Sequence, residues 1–131
     1  MQNDIEYLEA FLIEEYDVHT VFGRDETTGY YEESSMIGMN TGQPIKAQLY
    51  QYLHEAGHVA INKSNNSKKK YPFKEYSEDT VGYRVDSMRE EVMAWEAGLG
   101  IAEILKIDLN EADWRNYYKR HIYAYMKFLT I

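Results

Sequence analysis

Cysteine is absent from this chain of 131 residues, so neither a disulfide framework nor a thiolate ligand can be built. Any bound metal must therefore be held by histidine and carboxylate. Basic residues are scarce relative to acidic ones: 14 Lys and Arg against 22 Asp and Glu give a formal charge of -8. That balance works against attraction to nucleic acid or to an anionic membrane surface, and makes small or protein substrates better guesses than DNA. Long apolar runs are also missing, and Met1-Gln2-Asn3-Asp4 lacks the basic start and apolar stretch of a secretory signal. No membrane partner and a cytoplasmic location are expected. What the chain has in quantity is core material, 44% hydrophobic and 15% aromatic, enough for a single domain over residues 1–131.

Hydrophobic spacing sketches the elements. Ile5, Leu8, Phe11, Leu12 and Tyr16 recur at helical intervals over residues 4–15, with Asn3 as cap. Residues 18–40 alternate around a turn at 25–29 and predict two or three short antiparallel strands. Thr41-Gly42-Gln43-Pro44 breaks the chain, and residues 45–61 have helical composition. Residues 62–70, polar and carrying Lys68-Lys69-Lys70, read as a solvated loop rather than a nucleic-acid patch. Residues 71–84 are ambiguous. Ser87-Met88-Arg89-Glu90 is a capping-box pattern that predicts a helix from Ser87 to near Lys106, followed by a last helix opening at Asn110 with a face of Trp114, Tyr117, Tyr118, Ile122, Tyr125 and Leu129. The class is α+β: an N-terminal helix, a small antiparallel sheet, a central helix and two C-terminal helices.

Chemistry concentrates in that central helix, at His54-Glu55-Ala56-Gly57-His58. Histidines four apart project from one helix face, so both imidazoles can converge on one cation. Zinc accepts imidazole well, and a catalytic site needs three protein ligands with a fourth position for water. Glu55 is placed to accept a proton from that water. Gly57 costs about 1 kcal/mol of helix stability relative to alanine, a cost that makes sense if something approaches the helix closely. The third ligand is sought among Glu90, Glu91 and Glu96, with His19 and His121 as the remaining histidines. Glu90 is assigned to the helix cap, so Glu91 leads, because small Ala94 and Gly98 on its face allow close helix packing.

The succession Gly29-Tyr30-Tyr31, Met36-Ile37-Gly38-Met39-Asn40, the Tyr52 to His58 motif and Glu91-Val92-Met93-Ala94-Trp95-Glu96-Ala97 resembles the ImmA/IrrE type of minimal zinc metallopeptidase, over roughly residues 4–106. The resemblance implies a minimal zincin-like fold. It implies His54, His58 and Glu91 as zinc ligands and Glu55 as the base, in an enzyme that hydrolyses an intracellular regulatory protein, often one tied to a phage or mobile element. The alternative is a zinc-stabilised protein-binding module with the same fold and no catalysis. Tyr83 and His121 are candidates for an oxyanion donor. Glu96, Asp86 and Glu103 are candidates for hydrogen-bonding the zinc-bound imidazoles.

Overall fold

The computed structural model describes residues 1–64 and 70–129. Helix α1 spans Gln2–Tyr16 and buries Ile5, Leu8 and Leu12 along one stripe. It begins before Asn3, which is helical rather than a cap. It ends at Asp17, whose left-handed backbone (φ 53°) lets its own N–H and that of Val18 bond back to the carbonyls of Ile13 and Leu12.

Three strands follow: β1 (His19–Gly23), β2 (Gly29–Tyr31) and β3 (Met36–Asn40), in the spatial order β1-β3-β2. β2 pairs antiparallel with β3, but β1 pairs parallel with it, so the sheet is mixed and not antiparallel throughout. The burial pattern explains the difference. Ile37, Gly38 and Met39 are buried in succession, whereas β1 and β2 are only partly covered. A strand that is apolar on both faces belongs in the middle of a sheet. Insertion of β3 beside β1, after a reversal through β2, makes that pairing parallel.

Helix α2 (Ile45–Asn62) is the central element and is buried almost all round, with Leu49, Tyr52, Leu53, Ala56 and Val59 in the core. Tyr52 ties it to the sheet through a 2.5 Å hydrogen bond between its hydroxyl and that of Thr20. At its far end, the Tyr30 hydroxyl of β2 donates to Asn62 Oδ1 at 2.6 Å. Residues 65–69 of the expected polar loop, Lys68 and Lys69 among them, lie outside the described residues.

The ambiguous segment 71–84 contains a short 3-10 turn, Pro72–Glu75, held when the Phe73 N–H donates to Asp86 Oδ2 at 2.8 Å, and ends in the first turn of the next helix. Helix α3 runs Val81–Ile104 and starts six residues before Ser87. Thr80 caps it by accepting the Tyr83 N–H at 3.3 Å, and Ser87 is buried within the helix, so the capping box at Ser87 is not used. Helix α4 (Glu111–Leu129) does open as its sequence indicates, with Asn110 Oδ1 accepting the Asp113 N–H at 3.0 Å. It is fastened to α2 by Tyr50 to Asp113 at 2.8 Å and Gln51 to the Tyr117 hydroxyl at 2.9 Å. Among the described residues the architecture is α+β, with these four helices and one small sheet, and no helix is long and apolar enough to cross a membrane.

Candidate metal centre

The site exists because α2 and α3 approach backbone to backbone. A Cβ placed on Gly57 would stand 1.9 Å from the Ala94 carbonyl oxygen, and one on Gly98 would stand 2.6 Å from the Leu53 carbonyl oxygen. Only glycine at both positions permits that separation. Three residues before Ala94, Glu91 is thereby carried to the imidazoles of α2. Its Oε1 lies 2.7 Å from His54 Nε2 and its Oε2 lies 3.3 Å from His58 Nε2, while the two Nε2 atoms are 3.1 Å apart. These three residues form a group able to hold a metal ion.

Each imidazole is also held from behind. His54 Nδ1 faces Glu55 Oε2 at 3.3 Å, and its ring lies flat on the Trp95 indole, centroids 4.0 Å apart and planes within 8°. His58 Nδ1 faces Glu90 Oε1 at 3.4 Å, and Glu90 Oε2 takes the Lys74 ammonium at 2.9 Å. Glu90 thus lies mid-helix, not at a cap. A mistaken helix start concealed it; Thr80, a capping residue seven positions upstream of Ser87, is the signal that would have corrected the register.

Electrostatics follow from this crowding. Burial lowers the His58 pKa, but hydrogen bonds donated to the Glu90 and Glu91 carboxylates prevail and hold it up at about 10. Burial opposes and the Glu55 and Glu91 carboxylates again prevail for His54, which is raised. Glu91 moves the other way: burial raises it, and the two imidazoles outweigh this and keep its carboxyl well below the usual range. The pocket is therefore one where positive charge is welcome among carboxylates.

Of the residues expected to hydrogen-bond the imidazoles, none does so. Glu96 Oε1 accepts from Arg115 and Tyr118 at 2.9 and 3.0 Å, Asp86 is bound to the Phe73 N–H and to Arg89, and Glu103 is exposed. His19 pairs with Asp17 at 3.3 Å on the surface, and His121 packs on Tyr117 and Trp95, so neither joins the cluster.

Glu55, His58, Glu90 and Glu91 open on a cleft of about 540 Å³, whose other walls include Tyr30 of β2, Tyr71 and Lys74 of the 3-10 segment and Tyr125 of α4. Spacing on single helices could not disclose these wall residues, since they come from separate elements. Comparison with protein-family models, with curated proteins and with solved structures finds no match to this chain.

Proposed function

We propose that this chain is a zinc-dependent endopeptidase with a zincin-like fold, acting in the cytoplasm on a protein or peptide substrate. The observation that carries the reading is the meeting of His54 Nε2, His58 Nε2 and the Glu91 carboxylate, with Glu55, His58 and Glu91 on the wall of a cleft. The two Nε2 atoms are 3.1 Å apart and the Glu91 carboxylate reaches one with each of its oxygens, at 2.7 and 3.3 Å, so the three side chains are near enough to share one ion. Two imidazoles with one carboxylate are a donor set that suits zinc in a catalytic site. The resemblance to ImmA/IrrE-type peptidases agrees with this assignment of ligands.

An ion held by His54, His58 and Glu91 would supply Lewis acidity, polarising a carbonyl and lowering the pKa of water so that its deprotonated form is available as nucleophile. Glu55 contributes a carboxylate that accepts the proton leaving the water and delivers it to the departing amine. Glu90 and Glu55 orient the two imidazoles through their Nδ1 atoms, and Trp95 fixes the plane of His54.

Metal analysis of the purified protein tests the reading. Stoichiometric zinc is expected in the wild type and none in His54→Ala; a wild type free of metal, or one carrying iron, would end it. Glu90→Ala removes the acceptor behind His58, and zinc affinity should fall about 10- to 100-fold in a competition titration with a chelating dye. Unchanged affinity would show that Glu90 serves only to hold Lys74.

A further inference from the structure

Tyr83 and His121, the candidates for an oxyanion donor by sequence, do not line the cleft; part of its wall is instead the segment of residues 70–75, through Tyr71 and Lys74. That segment lies directly on α3. A Cβ on Gly82 would stand 2.8 Å from Phe73 Cγ, and the contact is fastened by a carboxylate, Asp86, only 1% exposed. A buried carboxylate is costly unless its oxygens are bonded, and both of these are. Oδ2 accepts the Phe73 N–H at 2.8 Å, and Oδ1 accepts from Arg89 at 2.7 Å. Arg89 in turn donates to the Lys70 carbonyl at 3.0 Å and lies over the Tyr71 ring, 5.4 Å from its centre.

Asp86 and Glu90 are four apart, one turn of α3, so they share a helix face. The segment meets both: Phe73 bonds to Asp86, and the next residue, Lys74, donates to Glu90 Oε2 at 2.9 Å. Glu90 Oε1 faces His58 Nδ1 at 3.4 Å. A lysine held by its side chain alone gains little, because ordering its long stem costs about what the ion pair returns. Anchoring the backbone one residue away removes much of that disadvantage, since the stem then starts from a fixed point. We propose that Asp86 is a positioning residue of the metal centre: by fastening this segment to α3 it holds Lys74 on Glu90, and Glu90 behind the imidazole of His58. Asp86, expected from sequence to bond an imidazole directly, thus acts on one through three successive contacts.

This inference rests on the metal-binding part of the reading above and not on hydrolysis. Zinc Kd, measured by competition with a chelating dye, tests it. Asp86→Ala should weaken binding about tenfold and Arg89→Gln about threefold, at unchanged stoichiometry. The two substitutions remove charges of opposite sign, so a field effect alone would move the affinities in opposite directions; a shared weakening reports position. Asp86→Asn keeps an oxygen for the Phe73 N–H and should stay within about threefold of wild type. In a Lys74→Met background, Asp86→Ala should weaken binding no further, because the link it maintains is already gone.

Wild-type affinity in Asp86→Ala, an Asn variant as weak as the Ala variant, or a loss that persists in full without Lys74 overturns the proposal. Arg89 is 56% exposed, so its variant reports even where Asp86→Ala does not fold, and unchanged or tighter zinc binding by Arg89→Gln overturns the proposal by itself. Each of these results leaves the metal reading standing, whereas a wild type that binds no zinc ends both.

Discussion

Gly57→Ala is expected to destabilise the protein by about 3 kcal/mol and lower Tm by about 10 °C, with loss of zinc binding. Intrinsic propensity alone argues the opposite, since alanine in a helix interior gains about 1 kcal/mol over glycine. The clash decides the sign. The added methyl would stand 1.9 Å from the Ala94 oxygen, 2.8 Å from its carbonyl carbon and 3.1 Å from its Cα, all backbone atoms that cannot turn aside. The helices must separate by about an ångström or more to reach ordinary contact, because a close-packed interior has no slack to absorb the group. That movement draws Glu91 away from both imidazoles, so stability and metal affinity should fall together. Gly100→Ala supplies the control on α3. Nothing lies within 4 Å of a Cβ there, and the substitution should be neutral or stabilising by up to about 1 kcal/mol. Thermal denaturation and chelator competition on the two variants check the contrast, and a Gly57→Ala protein as stable as wild type would refute the close-approach account.

The same contact explains why much of the site could be read from sequence. His54 and His58 belong to one helix, so spacing alone sets their faces together, and the need for a close neighbour is written into Gly57, Ala94 and Gly98. Glu91 shares the helical face of Ala94 and Gly98, and the structure brings it to both imidazoles. Apolar periodicity likewise located α1, α2 and α4, where side-chain burial and local spacing agree. It served less well at the ends of helices. Ser87 satisfies the pattern of a cap, but Asp86 and Ser87 are buried where α3 packs, and tertiary contact with the 3-10 turn extends the helix back to Thr80. That single error of register hid Glu90, which from the mistaken start occupied the third helical position.

Strand order was beyond the reach of local pattern. Alternation in residues 18–40 reports that strands exist, while the choice between a meander and an inserted β3 depends on which strand is apolar on both faces. Met36-Ile37-Gly38-Met39 carries that information, with Ile37 and Met39 almost wholly buried and Gly38 leaving room for the Thr27 carbonyl. The cleft walls are illegible for a related reason. Tyr30, Tyr71 and Tyr125 are three of 13 tyrosines, and only the crossing of separate elements distinguishes them from the tyrosines elsewhere in the fold.

Glu55→Gln is the substitution that separates an enzyme from a zinc-stabilised binding module. Turnover of a cleavable peptide should drop about 1000-fold, the scale expected when a positioned general base is removed. Metal binding should survive. Glu55 is not among the three residues whose donor atoms converge, and glutamine keeps an oxygen to accept from His54 Nδ1, 3.3 Å from the present carboxylate. The amide occupies nearly the same volume in a position only 9% exposed, so little change in folding is anticipated. What it cannot do near neutral pH is take a proton from water, and the neighbouring carboxylates are committed elsewhere: Glu91 is shared between two imidazoles and Glu90 between His58 and Lys74. Zinc content measured beside kcat distinguishes the outcomes. Full zinc with turnover near wild type would remove Glu55 from the chemistry, whereas joint loss of zinc and turnover would show that its carboxylate is needed to hold His54 and that its role as base must be sought through a milder change.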